Sequence, residues 1–355
     1  MTIRRSFIVT VLLVCISACG GISPREAGFP SASTPSELLD ESGILVDRAK
    51  RVYSTRGLTG PTPLFTFVFD DGHDTDYLVA RDIFAAQGAI ACSAITTDWI
   101  NRPGYMSAGQ IIGLRDAGWE IMSHTATHPN LSSLTPGQID DELSRSKTAL
   151  EGLGVTVRNL VYPFNRNNAT VRELAGEYYR SGRGGTNKSN TGVINPHELR
   201  SFSNKQDLRK MKGHVDRAHA EKSWLIIYHH EIDARITLMN KKGAFARGEP
   251  LAFSPSGARG RHVRDLWFLT AGSLHFVPLT GTPRPGDTIL GQTSGATAQL
   301  SHVVFNEREN IGELVRYILT RYPDMRIVTI DQGLDILGIA HQTPLAENVT
   351  VKTAH

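Results

Sequence analysis

Cysteine is scarce: three occur in 355 residues, at positions 15, 19 and 92. If Cys15 leaves with an export signal and Cys19 carries lipid, Cys92 stands alone, and no internal disulfide can form even in an oxidising compartment. Cys92 lies in an apolar run, Ala89 to Ile95, with no motif around it. That setting reads as a buried inert thiol rather than a nucleophile. An excess of one charge is also lacking, since 38 basic residues face 35 acidic ones for a formal +3. No basic run alternates with aromatics, which argues against a nucleic-acid partner. The longest N-terminal apolar stretch, Phe7 to Ile16, is too short to span a bilayer comfortably as a helix. With 40% hydrophobic and 21% charged residues, disorder and coiled coil are poor readings.

What is present begins with Arg4 and Arg5 ahead of that apolar stretch, the pattern of an export signal. It ends in Ile16-Ser17-Ala18-Cys19-Gly20, which resembles the bacterial lipobox, where the cysteine is acylated and becomes the new N-terminus. The expectation is a signal peptide over 1–18 and a membrane anchor through lipidated Cys19. The protein would then sit in the bacterial cell envelope, on the periplasmic face of the outer membrane in a Gram-negative cell. Several acyl chains suffice for this, because each buried methylene contributes about 0.8 kcal/mol. A plain secretory signal with an incidental cysteine is the alternative. Residues 19–62 are rich in Ser, Pro, Gly and Thr and read as a tether, with a short helix around Ser36 to Tyr53 leading into the fold.

Beyond the tether, helix and strand signals alternate. Leu64 to Phe69 is a β-rich apolar run that stops at Asp70-Asp71-Gly72, a strand delivering carboxylates at its C-terminal end. Asp76 to Gln87 predicts a helix, Ala89 to Thr96 a strand, Ser107 to Ala117 a helix and Trp119 to Ser123 a strand. A further helix begins at Thr135-Pro136-Gly137-Gln138, where Thr135 can cap, Pro136 suits the first turn and Gln138 can close a capping box. Strands recur at Val157 to Tyr162 and Trp224 to Tyr228. This βα order implies a parallel sheet or barrel, with its chemistry at the strand C-termini. The rhythm breaks at about 234–304, where Gly- and Pro-rich turns separate short β segments, and resumes with a helix at Glu307 to Arg321 and a strand at Met325 to Ile330. A small β-rich insertion in a barrel loop accounts for the break. Within it, Gly286 to Leu300 looks like a Gly/Thr β-turn motif of phage structural proteins and carries no chemistry by itself.

Asp70 and Asp71 cannot both point the same way from a strand end, so they can take different jobs. His124 and His128 stand four residues apart just after a strand, and one helical turn would bring both onto one face. One carboxylate with two imidazoles leaves positions open on a divalent ion. The Glu of the H-E-x-x-H protease pattern is missing, which disfavours a thermolysin-like enzyme.

Phe69-Asp70-Asp71-Gly72, then His124 and His128-Pro129, then Tyr162-Pro163-Phe164, then Trp224 to Ile232, in this order and spacing, resemble the NodB-homology polysaccharide deacetylases of carbohydrate esterase family 4. The likeness covers roughly 63–233 and resumes near the C-terminus. It implies a distorted (β/α) barrel over 63–233 and 305–340, interrupted by the β-rich insertion at 234–304 and followed by a tail at 341–355. It also implies one divalent metal ion, zinc foremost with cobalt, nickel or manganese as alternatives, held by Asp71, His124 and His128. By the same resemblance Asp70 matches the general base, the Phe164 backbone N–H the oxyanion donor, and His230 the general acid. His229 is the alternative acid, because a one-residue slip would exchange the two.

One departure from the family pattern stands out. Many members carry Arg two residues before the motif proline, pairing with the base, where this chain has Val161. Arg183, or else Arg166 or Arg180, would have to supply that guanidinium from another loop. Trp224 reads as core packing, while Trp99 and Tyr105 read as packing residues near the site that are also candidates for stacking on sugar rings. The activity implied is hydrolysis of N-acetyl groups on an envelope or extracellular polysaccharide, with exopolysaccharide or cell-wall machinery as further partners. An O-acetyl esterase using the same site and a catalytically silent carbohydrate-binding lipoprotein are the competing readings.

Overall fold

The computed structural model describes residues 62–339, apart from 206, 269 and 270, together with two strand fragments at Leu38–Leu39 and Leu45–Val46. Those fragments fall within the stretch expected to be helical and are extended instead. The expected signal peptide, Cys19, the rest of the tether and the tail at 341–355 lie outside the described residues.

Strand β1 (Leu64–Phe69) is buried at every position, as a central parallel strand covered on both faces must be. In chain order follow β2 (Cys92–Ile95), β3 (Glu120–Ser123), β4 (Asn159–Val161), β5 (Ser181–Arg183), β6 (Phe202–Ser203) and β7 (Trp224–His229). They line up as β5-β4-β3-β2-β1-β7-β6, all in parallel pairs. Segment 199–203 then joins the two edges: Leu199 N–H donates to Gly182 O at 3.0 Å, Gly184 N–H donates to Leu199 O at 2.9 Å, and Phe202 pairs with Ile227. The sheet is thereby closed into a distorted (β/α) barrel, as expected.

The helices pack around this barrel: α1 (Arg81–Ala85, continuing a π-helical turn at Asp76–Ala80), α2 (Ala108–Asp116), α3 (Pro136–Glu151), α4 (Ala169–Tyr178), α5 (Leu208–Ala220), α6 (Glu307–Arg321) and α7 (Ile330–Ile336). Ser107 and Gln110 close a capping box on α2, and the Thr135 N–H donates to Gln138 Oε1 at 3.0 Å on α3. Near the C-terminus the predicted strand is shorter than its apolar run. Only Arg326–Ile327 pairs with the start of β1, after which Thr329 caps α7 through the Gln332 N–H, so Ile330 opens a helix. Among the described residues no helix is long and apolar enough to cross a membrane.

The insertion is a closed six-stranded antiparallel barrel: β8 (Ala234–Lys242), β9 (Pro250–Ser254), β10 (Arg259–Phe268), β11 (Ala271–Thr280), β12 (Thr288–Gly291) and β13 (Thr297–Asn306). Its order is β8-β11-β10-β9-β12-β13, returning to β8. Ile236, Leu251, Phe253, Leu274, Phe276 and Leu300 fill it. The Gly/Thr motif has a structural role. The Glu249 carboxylate accepts from the Thr293 and Ser294 N–H groups, each at 2.9 Å, and a Cβ at Gly291 would lie 2.5 Å from that carboxylate. Outside, Val263, Val277 and Leu279 pack against the core of the (β/α) barrel, so the insertion shares apolar surface with the domain it interrupts.

Candidate metal centre and catalytic cleft

The two adjacent carboxylates just after β1 diverge, through a left-handed turn at Asp71 rather than through strand alternation. Asp70 stays in register, its N–H donating to His229 O at 2.8 Å, whereas Asp71 takes a positive φ of 76° and turns its side chain elsewhere. Asp71 Oδ1 lies 3.3 Å from Nε2 of His124 and 3.3 Å from Nε2 of His128, with His73 Nε2 3.5 Å from Oδ2. Burial pushes the Asp71 carboxyl up, but the facing imidazoles of His124, His128 and His73 outweigh it and hold the group far below the usual carboxylate range.

These residues fit a divalent ion. One ligand atom from each of Asp71, His124 and His128 lies within 4.8 Å of the others, and Asp71 Oδ1 is a buried oxygen with no hydrogen-bond partner. His124 Nδ1 is 2.7 Å from Val161 O, which can only accept, so Nδ1 carries the proton and the Nε2 lone pair faces Asp71. Borderline nitrogen donors with a single anionic oxygen suit zinc, cobalt, nickel or manganese.

His124 and His128 do not share a helical turn. They belong to an irregular loop in which Thr125 (φ 69°) and His128 (φ 64°) are left-handed, a conformation that costs of order 1–3 kcal/mol per residue unless the surroundings impose it. The surroundings here are polar. Glu142 of α3, 7% exposed, accepts from Ala126 N–H at 3.0 Å, Thr127 N–H at 2.8 Å and Thr127 Oγ1 at 2.6 Å, while Thr125 Oγ1 accepts from His128 N–H at 3.0 Å. Sequence reading missed Glu142 because it followed only the apolar stripe of α3. The signal was a carboxylate placed among Ile139, Leu143, Ser146 and Leu150 on the buried face.

Asp70 is gripped from across the barrel. The Arg183 side chain is fully buried, and its Nη2 donates to both Asp70 oxygens at 2.5 Å. Nη1 reaches Asn165, the guanidinium lies 4.8 Å from the centre of the Tyr228 ring, and Asn165 donates to the Tyr228 hydroxyl at 3.1 Å. Arg180 instead pairs with Asp331 and Asp335 of α7, each at 2.7 Å, and Arg166 lines the cleft without reaching Asp70. The neighbouring histidines also separate. His230 faces Asp70 and Asp71 across the cleft, while His229 is 1% exposed, stacks on Phe69 at 5.1 Å and places Nδ1 2.8 Å from Glu307. Burial pushes the His230 imidazolium down, opposed by the two aspartates.

Phe164 carries a φ of 56°, and its exposed ring meets His128 edge-on at 4.7 Å. Half-buried Trp99 and Tyr105 join the metal-site side chains in a row: Tyr105 stacks on His73 at 4.9 Å, and Trp99 lies 4.9 Å from Tyr105 and 5.2 Å from His128. Trp224 is core, its indole N–H donating to Thr66 at 2.9 Å, and buried Cys92 has its thiol pushed well up by burial. Together Asp70, Asp71, His124, His128, Phe164 and His230 wall a cleft of about 650 Å³. The insertion reaches this end as well. Arg261 of β10 makes a forked pair with Asp74 at 2.5 and 2.8 Å and lies 3.7 Å from Glu231, a link that no sequence pattern announced.

Residues 58–179 match the family model described as polysaccharide deacetylase. The matched segment holds Asp70, Asp71, His124, His128 and Phe164, and ends before β5, so Arg183 and His230 lie beyond it. Solved structures similar to the chain include the deacetylase PplD of Streptococcus pyogenes in complex with acetate (24% identity, 38% of this chain and 62% of that one, TM-score 0.35). A polysaccharide deacetylase from Bacillus cereus is 23% identical over 38% of this chain and 45% of that one, with a TM-score of 0.34. A family 4 carbohydrate esterase from Streptomyces lividans in complex with acetate is 20% identical over 47% of this chain and 79% of that one, with a TM-score of 0.36. The chain thus spans less than two thirds of the first two. No curated protein matches the sequence.

Proposed function

We propose that this protein hydrolyses N-acetyl groups on an envelope or extracellular polysaccharide, releasing acetate, with one divalent ion, zinc foremost, held by Asp71, His124 and His128. The observation that carries this reading is the division of labour between the adjacent aspartates. Asp71 Oδ1 is buried and unpaired between two imidazole nitrogens at 3.3 Å, while Asp70 is separately held by Arg183. When bound, the ion supplies Lewis acidity to the acyl oxygen and to water. Asp70 takes the proton of the attacking water, its carboxylate oriented by Arg183 Nη2. The Phe164 N–H donates to the oxygen that gains charge, and His230 gives a proton to the departing amine, which leaves poorly without one. Arg183 here takes the place of the arginine that the family pattern puts at Val161.

Lipidation at Cys19 would hold the barrel at the envelope near its polymer, alongside exopolysaccharide or cell-wall machinery. The intact carboxylate and imidazole set supports catalysis over a silent binding role. The test is acetate release by the purified, metal-loaded protein across N- and O-acetylated polysaccharides. Release from N-acetylated polymer supports the reading, release from O-acetyl esters alone makes it an esterase, and no release from a metal-replete protein overturns it.

A further inference from the structure

A second cleft, about 900 Å³, lies where the inserted barrel meets the catalytic one, and His230 and Lys205 border both clefts. One wall comes from the loop after β7 with Glu231 and Asp233; the other comes from the start of α6 with Glu307 and Glu309. Lys205 and Arg235 are the permanent cations on this lining, fewer than the carboxylates, which also include Asp207. Some of those carboxylates are engaged: Asp207 caps α5 through Lys210 N–H at 2.9 Å, and Glu307 accepts from Asn204 and faces His229. Others are held loosely. Glu231 lies 3.7 Å from Arg261 and Asp233 lies 3.7 Å from His275, beyond good hydrogen-bond range.

A second observation points the same way and does not depend on charge. Asn306, 5% exposed in the same wall, has a buried Oδ1 with no hydrogen-bond partner. Leaving a buried acceptor unsatisfied costs about 1–3 kcal/mol, so a donor is called for at this wall. Burial, and then Glu307 and Glu231, push the Asp233 carboxyl up to about 6, against the opposing pull of Arg264 and Arg235. A group rich in donors and positively charged answers both needs, whereas an acetamido sugar brings no charge.

We propose that this cleft binds an amino sugar bearing a free, protonated primary amine, that is, a unit of the polymer already deacetylated beside the one being processed. The inference rests on the deacetylase reading for the identity of the polymer. The fold supports the geometry, since one chain of sugars can lie along both clefts past His230. The enzyme would then favour partly deacetylated stretches and extend them.

The test is calorimetric titration of the full metal-loaded protein with a β-linked glucosamine tetramer and with a neutral glucose tetramer of the same linkage. The glucosamine tetramer should bind about tenfold more tightly than the neutral one, the ratio that one hydrogen bond to a charged group supplies. Asp233→Asn and the exposed Glu309→Lys should each narrow that ratio, and Glu309→Lys perturbs no buried side chain. Equal binding of the two tetramers, or an unchanged ratio in both variants, overturns the proposal. Preferential amine binding by a protein that releases no acetate from any polymer would sustain the cleft and sink the deacetylase reading; acetate release without amine preference would do the reverse.

Discussion

Arg183 donates through Nη2 to both oxygens of Asp70 at 2.5 Å, joining residues 113 positions apart across the mouth of the barrel. Both side chains are buried, so neither charge has water to fall back on. Removing one partner of such a pair typically destabilises by about 3–5 kcal/mol, because the other charge is left uncompensated. Arg183→Met should therefore lower the urea midpoint sharply. Arg183→Lys should recover part of that loss while turnover stays low, since an ammonium that reaches Asp70 cannot also hold Asn165 and Ser201. Metal content should be unchanged in any folded variant, because the Arg183 contacts are to Asp70, Asn165, Ser201 and Tyr228. Full turnover in Arg183→Met would show that Asp70 needs no orienting charge.

Much of the site was legible because its residues lie at the ends of apolar runs. Phe69 to Gly72 and Ser123 to Pro129 each mark where a buried strand gives way to polar side chains, and hydrophobic pattern finds such points well. Strands β5 and β6 were not read, because Ser181-Gly182-Arg183 and Phe202-Ser203 are too short and too polar to give a period. A buried arginine in a strand runs against the composition rule that locates strands at all. Helices α4 and α5 were missed for a related reason: α5 buries only Met211, Val215 and Ala218 on a strongly charged segment. The expected helical turn from His124 to His128 failed because Glu142, eighteen residues beyond His124, offers the loop better hydrogen bonds than a helix would. Closure of the insertion into a barrel depends on the pairing of β8 with β13, a long-range contact that local pattern does not encode.

The Arg261–Asp74 fork ties the insertion to the loop that follows Asp71. Hydrogen bonds to charged groups contribute about 1.5–3 kcal/mol each when well formed, less where water reaches them, as it does here. Arg261→Ala should leave the fold intact but loosen residues 72–76, lowering turnover by about tenfold and weakening metal affinity; faster amide exchange in that loop would be the direct sign. Excising 234–304 is a harsher change. It also strips Val263, Val277 and Leu279 from the core of the (β/α) barrel, so the product should be aggregated or molten rather than a trimmed domain. A soluble, cooperative deletion variant with wild-type metal affinity would refute this coupling.

Asp233 makes stability depend on pH in a definite direction. Burial, with Glu307 and Glu231, raises its folded-state value to about 6, above the unfolded value. Over that interval the folded chain holds a proton that the unfolded chain releases, so this contribution is fully present below the ordinary aspartate range and is lost as pH rises through about 6. Asp233→Asn should flatten the fall in melting temperature between about pH 4 and pH 7, and should stabilise the protein above that window by about 1 kcal/mol, a figure reduced for solvent screening of a side chain that is 36% exposed. An unchanged pH profile would mean that solvent already compensates the charge.

Cys19→Ser tests the anchor apart from the chemistry. If Cys19 is acylated as proposed, the variant should move from the membrane to the soluble fraction and keep its specific activity on a soluble oligosaccharide, because the acyl chains would set location while the proposed catalytic residues lie on the barrel. Retention in salt-washed membranes would exclude lipidation at Cys19 as the tether.

The sharpest expectation separates the two adjacent aspartates. Asp71 gives the cluster its single carboxylate, facing two imidazoles of which one, His124, directs Nδ1 to Val161 O. Asp71→Asn should therefore weaken metal affinity, and turnover should recover in part as metal is added. Asp70 faces Arg183 instead, so Asp70→Asn should keep the metal and still lose about two to four orders of magnitude in rate, which added metal does not restore. It should also cost stability, because Arg183 is then left buried without its carboxylate. Elemental analysis, a metal titration of turnover and a denaturation curve on both variants distinguish the roles. If Asp70→Asn loses metal while Asp71→Asn retains it, the assignments are exchanged; if both retain metal and full turnover, neither carboxylate acts in the reaction and another group must take the proton.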